Sequence, residues 1–154
     1  MAINLLDSNQ SPGILLYKSP FGTWLHDAAS YGRLGLVKYL IDVGIDINLK
    51  GGTLGGNALN AAVSAESLSV VNLLIENGAE MDISNSENNP LFSAILKNNL
   101  TLVKKLIDHG IDFRHIYERN LSPKIEHIDA EAFAIERGNN DIAQYIHSKK
   151  SKNV

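Results

Sequence analysis

One short phrase is written three times in this chain, as VKYLIDVGID at 37–46, VNLLIENGAE at 71–80 and VKKLIDHGID at 103–112. The copies begin at residues 37, 71 and 103, so the steps are 34 and 32 residues. A fixed period of about 20–50 residues marks stacked units, none of which can bury its apolar face without its neighbours. A chain built this way grows along one axis, and equivalent surface positions fall into rows. Its work is expected to be done by that surface.

The bulk chemistry fits one such stack. The chain has 154 residues, 44% hydrophobic and 20% charged, enough apolar material to bury a core without covalent staples. The net charge of −3 supplies no basic field for nucleic acid or an anionic membrane. Cysteine is absent, which excludes disulfides and thiolate metal sites and suits a reducing compartment. The opening MAINLLDSNQSPG lacks the basic start of a secretory signal, and every apolar run is too short to span a bilayer. A cytoplasmic protein is expected.

Each repeat resolves into two short helices. In the first, TWLHDAASYG (23–32) precedes RLGLVKYLIDVG (33–44). Leu25, Ala28 and Ala29 make a short apolar stripe, and Leu34, Val37, Leu40 and Ile41 a longer one, both at helical spacing. Thr23 can cap the first helix through its hydroxyl, and Gly32 and Gly44 are placed to stop the two helices. The second unit keeps Leu59, Ala62, Leu68, Val71, Leu74 and Ile75 in register, and the third Leu91, Ala94, Leu100, Val103, Leu106 and Ile107. A degraded fourth copy at 131–149 keeps Ala134, Gly138, Ile142 and Ile146 but lacks the closing glycine, as suits a terminal cap.

TWLHDAA followed by G-x-D-I-N resembles the ankyrin repeat, whose signature is T-P-L-H-x-A at a period of 33. The resemblance covers residues 21–148. It implies an all-α repeat solenoid, with ankyrin-type stacked helix pairs and β-hairpin fingers projecting from one edge. The expected units are 21–52, 53–86, 87–118 and 129–148, with an insertion in the third finger. Residues 1–20 form an irregular N-terminal cap and 149–154 a frayed basic tail. The cap, with Ile3, Leu5, Leu6, Ile14, Leu15, Leu16 and Tyr17, is too apolar for a solvated tail. It either covers the first helix pair near Trp24 or offers a patch to a partner.

Departures from the family pattern are informative. Trp24 stands at the proline position, and Asn60 and Phe92 at the histidine position. His26 does match, and the resemblance implies that its imidazole bonds the backbone of adjacent hairpins. Glu66 takes a place where a left-handed glycine is usual, at a cost of about 1 kcal/mol, and Asn98 tolerates that conformation better.

No motif carries catalysis. The five histidines, His26, His109, His115, His127 and His147, never adopt a metal-ligand spacing. GGTLGGN at 51–57 lacks the Lys-Ser/Thr pair that a phosphate loop needs after its glycines, and reads as a finger one residue longer than usual. There is no nucleophile elbow and no aromatic–basic interleaving. No catalytic residue, cofactor or metal is expected, and the chain reads as a non-enzyme.

In ankyrin proteins the partner face is typically made by the fingers and the exposed end of each first helix. Equivalent helix ends here place Tyr31, Ala65, Lys97 and Arg137 in one row. The first finger adds Lys50 and Leu54, and the acidic second finger adds Ser84, Asn85 and Glu87. The step from Leu91 to Glu131 is 40 residues, about seven beyond the family period, so 113–129 carries an insertion. It brings Arg114, His115, Tyr117 and Arg119. Tyr and Arg are favoured at interface hot spots. A loop that merely seals the last repeat is the competing reading.

The expected function is a non-enzymatic module that binds one protein partner, as a monomer, and inhibits or holds it. No nucleic acid or membrane is involved. A composition leaning to Asn, Ile and Lys points to a bacterial source. The resemblance adds a sharper form, a bacterial immunity protein neutralising a toxin effector. The alternative is a structural scaffold or self-associating subunit.

Overall fold

The computed structural model describes residues 18–19, 22–51, 55–121 and 124–151. Two short strands, β1 (Lys18–Ser19) and β2 (Gly22–Thr23), pair antiparallel at the start. Four helix pairs follow: α1 (Trp24–Ser30) with α2 (Leu34–Asp42), α3 (Ala58–Ser64) with α4 (Leu68–Glu76), and α5 (Pro90–Leu96) with α6 (Leu100–Asp108). The fourth is α7 (Ala130–Glu136) with α8 (Asn140–Ser151). Between α6 and α7 lies a hairpin of β3 (Tyr117–Leu121) and β4 (Lys124–Ile128), with Tyr117 opposite Ile128.

The first helices form one layer, α1 on α3 on α5 on α7, and the second helices pack behind them. Ala28, Ala62, Ala94 and Ala134 recur at one position of the first layer, each at most 2% exposed. Their small side chains let successive helices approach closely. Leu40, Leu74, Leu106 and Ile146 fill the matching core position of the second layer. Neither layer could stand alone, since seven- and nine-residue helices are marginal in water without tertiary burial.

The ends of the helices follow the sequence. The Thr23 hydroxyl accepts from Leu25 N at 3.2 Å, and Asn57 and Asn89 cap α3 and α5 in the same way. Each first helix closes through a left-handed residue, Gly32, Glu66, Asn98 and Gly138, with φ of 63°, 56°, 53° and 73°. Glu66 and Asn98 therefore do carry the glycine conformation that the alignment assigned to them.

Of the residues expected to form a frayed tail, 149–151 continue α8, and 152–154 lie outside the described residues. The reason is Lys150, which stands where Gly44, Gly78 and Gly110 end the other second helices. Its ammonium lies 2.6 Å from Asp129 and 2.7 Å from Glu131, and Lys149 lies 3.0 Å from Asp108. Glu131 itself stands where Leu25, Leu59 and Leu91 are buried in the earlier units, so the fourth unit places a charge at a position that is apolar in the other three. The fingers project between the helix pairs: Gly51 N–H donates to the Gly56 carbonyl at 2.9 Å across the first, and among the described residues regular strand ladders stand at β1–β2 and β3–β4. The N-terminal cap up to Tyr17, and Leu54 in the first finger, lie outside the described residues.

Candidate partner-binding face

Repeats are joined to one another by side chains reaching the next finger's backbone. Thr23 N–H donates to His26 Nδ1 at 3.1 Å, which leaves Nε2 to donate to the Gly56 carbonyl at 3.1 Å. Asn60, the aligned residue one unit on, donates to the Asn88 carbonyl. Asn57 Nδ2 reaches Glu80 O at 2.8 Å, and Asn48 bridges Gly78 O and Glu80 N. At the third joint Phe92 cannot donate. It stacks on Phe133, with centroids 4.7 Å apart, and meets the edge of Tyr117 at 5.2 Å.

Tyr117 is thus an interior residue, 9% exposed. Its hydroxyl accepts from Asn89 Nδ2 at 2.9 Å and donates to the Ile83 carbonyl at 2.8 Å. Burial pushes its pKa upward, only partly opposed by the Asn89 hydrogen bond. These bonds favour the competing reading of the insertion, in which Tyr117 packs and locks the hairpin onto the second finger. His115 packs edge-on against it at 4.6 Å.

The other expected residues fall into two groups. Several are engaged within the molecule. Lys50 Nζ lies 2.5 Å from Asp82 Oδ2, and the Lys50 ammonium with the Ser84 amide holds the Asp82 pKa down to about 2. Arg119 is clamped by Glu126 at 2.9 Å and Glu136 at 3.0 Å. Arg114 Nη2 donates to the Lys150 carbonyl at 3.0 Å, tying the insertion to the end of α8. Arg137 lies over the Phe133 ring at 5.0 Å, and Asn85 Oδ1 accepts from Asn88 N to shape the second finger. The rest are open: Tyr31 (76% exposed), Ser84, Glu87 and Lys97. Tyr31, Ala65, Lys97 and Arg137 are all exposed C-caps of first helices, so the expected row exists.

Of these, Tyr31 and Glu87 line a groove along the first-helix layer, whereas Ser84 and Lys97 do not. Its wide part, about 680 Å3, is lined by Trp24, Asp27, Tyr31, Arg33, Asn60 and Glu87, among others. A narrower part of about 280 Å3 lies between Leu96, Phe133, Glu118 and Arg119. Glu87 and Ser93 line both parts. Trp24 (44% exposed) and Leu96 (57% exposed) were not among the residues expected to bind. Both carried a signal: Trp24 is an aromatic in the proline slot, and Leu96 is an apolar residue one position before the exposed row.

What the face can do chemically is limited by its donors. Among the described residues no group of three or more His, Cys, Asp or Glu could hold a metal ion, and no helix is long and apolar enough to cross a membrane. The side chains offer apolar surface, single charges and hydrogen bonds, the means of macromolecular recognition.

Comparison with known proteins agrees with this architecture. The family described as ankyrin repeats (3 copies) matches residues 25–117. A putative ankyrin repeat protein of Rickettsia bellii is 32% identical over 119 residues, covering 75% of this chain and 28% of its own length. Another from Rickettsia felis is 41% identical over 89 residues, covering 58% of this chain and 39% of its own. Alpha-latrocrustotoxin-Lt1a of Latrodectus tredecimguttatus is 31% identical over 112 residues, covering 69% of this chain and 8% of its own. The chain therefore spans well under two thirds of these relatives. The matched repeats, the four helix pairs and the His26-type joints together show that this chain belongs to the ankyrin-repeat family.

Proposed function

We infer that the chain binds one protein partner along the groove of its first-helix layer and acts by occupying that partner, inhibiting it or holding it in one state. Ankyrin repeats are protein-interaction modules, and the observation that carries the finer reading is the groove with Trp24, Tyr31 and Leu96 exposed along it. Aromatic side chains on a rigid wall give large contact area at small entropic cost, the usual make-up of a hot spot. A toxin effector as partner, a bacterial source and a cytoplasmic setting belong to this proposal as its sharpest form. The test is affinity capture from cells of the source organism with the wild-type chain and with Tyr31→Ala/Leu96→Ala. A partner held by the groove loses at least tenfold in affinity, about 1.4 kcal/mol. Undiminished capture by the double variant contradicts the reading.

One observation favours self-association as a second reading. Ile135 is 60% exposed, whereas the equivalent Ala29, Val63 and Ile95 are fully buried by the next repeat. A second copy docking on this face would cover it, as a further repeat would. Light scattering over a range of concentrations, with Ile135→Lys as the control, decides between a monomer and that contact.

A further inference from the structure

The groove has a chemical bias. Its wide part is aromatic at one side, with Trp24 and Tyr31, and its narrow part apolar, with Leu96 and Phe133. Between them stands Glu87, which lines both parts, is exposed, and has no ion-pair partner among the described residues. Asp27 and Glu118 also line the groove without an ion pair among the described residues, against Arg33 as the one cation in the same condition. Arg119 does not redress the balance, because Glu126 and Glu136 already hold its guanidinium. In the wide part Asn60 Oδ1 is a buried acceptor with no donor. Arg119 Nε is a buried donor without an acceptor at the far side of the narrow part, so the donors lie at the two ends, with Arg33 and Arg119, while the junction itself presents the Glu87 carboxylate.

Any segment lying along both parts of the groove must pass Glu87. An acidic segment would bring like charges together, and an apolar one would strip water from the carboxylate without replacing its hydrogen bonds. An arginine or lysine at that point supplies the donors, and an arginine flanked by Trp24 and Tyr31 also gains the attraction between a cation and an aromatic face. Bulky apolar residues on either side fit the aromatic and Leu96–Phe133 ends. We propose that the occupant of this groove is an extended segment of the partner protein that sets a basic residue against Glu87 between two apolar anchors. This rests on the groove-binding reading above and adds the chemistry of the partner.

Trp24 is the chain's single tryptophan and lies in the groove, so its emission reports occupancy directly. The probe is a synthetic peptide of about ten residues, about 33 Å when extended, alternating Arg with Leu and Tyr. Its counterpart replaces every Arg with Glu. The basic peptide is expected to shift Trp24 emission saturably and to bind at least tenfold tighter than the acidic one. Glu87→Gln should weaken it about tenfold, while Glu76→Gln, an exposed carboxylate on α4 that does not line the groove, should leave it unchanged. Equal binding of the two peptides overturns the proposal. Equal losses from Glu87→Gln and Glu76→Gln do so as well, since they would reduce the effect to overall charge. A change in Trp24 emission with protein concentration alone would assign the groove to a second copy and also overturn it. If the natural partner is lost on Tyr31→Ala/Leu96→Ala but not on Glu87→Gln, the basic-segment proposal fails and groove binding stands.

Discussion

Lys50 and Asp82, 32 positions apart in sequence, join the first finger to the second with Nζ 2.5 Å from Oδ2. The pair makes the acidic second finger less acidic than its sequence, and it couples two fingers that share no strand ladder among the described residues. Asp82 is nearly covered and Lys50 is half exposed, so the pair is worth at most about 1 kcal/mol.

A pH dependence follows from that pair. The folded pKa of Asp82, about 2, lies below its ordinary value of 3.8. The carboxylate's stabilisation is therefore fully present above pH 3.8 and is lost as pH falls towards 2. Urea denaturation of wild type and Asp82→Asn should show the wild type more stable at pH 7 and the difference shrinking as pH falls towards 2. A constant difference would contradict the assignment. Asp129 and Glu131 push in the same direction. Burial alone would raise Asp129, but Ala132 N–H and the Lys150 ammonium outweigh it, and Lys150 with His147 lowers Glu131.

Tyr117 should behave as a core residue. Tyr117→Phe leaves Asn89 Nδ2 and the Ile83 carbonyl without their partner and is expected to cost about 1–2 kcal/mol. Tyr117→Ala also opens a cavity beside Phe92 and should cost about 3–5 kcal/mol. Chemical denaturation checks both. Thermal stability unchanged in Tyr117→Ala would return the residue to the binding surface.

The left-handed stops give a prediction of opposite sign at equivalent positions. Glu66→Gly relieves a φ of 56° and is expected to raise stability by up to about 1 kcal/mol, less the hydrogen bond that Glu66 accepts from Asn99. Gly32→Ala should lower it, because a methyl group there would lie 2.7 Å from Ser67 Oγ in addition to the strain. Melting temperatures of the two variants should move apart.

His26→Ala tests the joints between repeats. It removes the bond to the Gly56 carbonyl and the partner of Thr23 N–H, both buried, and should cost about 2–4 kcal/mol. A loss below about 0.5 kcal/mol would mean that apolar stacking alone holds the first two repeats.

What the sequence made legible is what repeats: the helix pairs, the caps at Thr23 and Gly32, the His26 bond and the strain at Glu66. Each is fixed by neighbours a few residues away or one period distant, so the period itself points to the partner. The choice between contact and packing at Tyr117 was not legible because 113–129 has no repeat register, and nothing local shows that its hydroxyl meets Asn89 and Ile83 across 28 and 34 residues. The basic run at 149–150 looked like a solvated tail because its partners, Asp108 and Asp129, lie 41 and 21 residues away. The groove was half legible. The place of Tyr31 came from the period, whereas Trp24 and Glu87 came to line one groove only through the stacking of α1 on α3 and the fold of the second finger.

The most direct test of groove binding is hydrogen–deuterium exchange on the chain alone and with its captured partner. Partner binding along the first-helix layer predicts new protection in α1, α3 and α5 and at 84–88, with α2, α4 and α6 unchanged. Protection confined to the second helices, or to the Ile135 end of the stack, would contradict it.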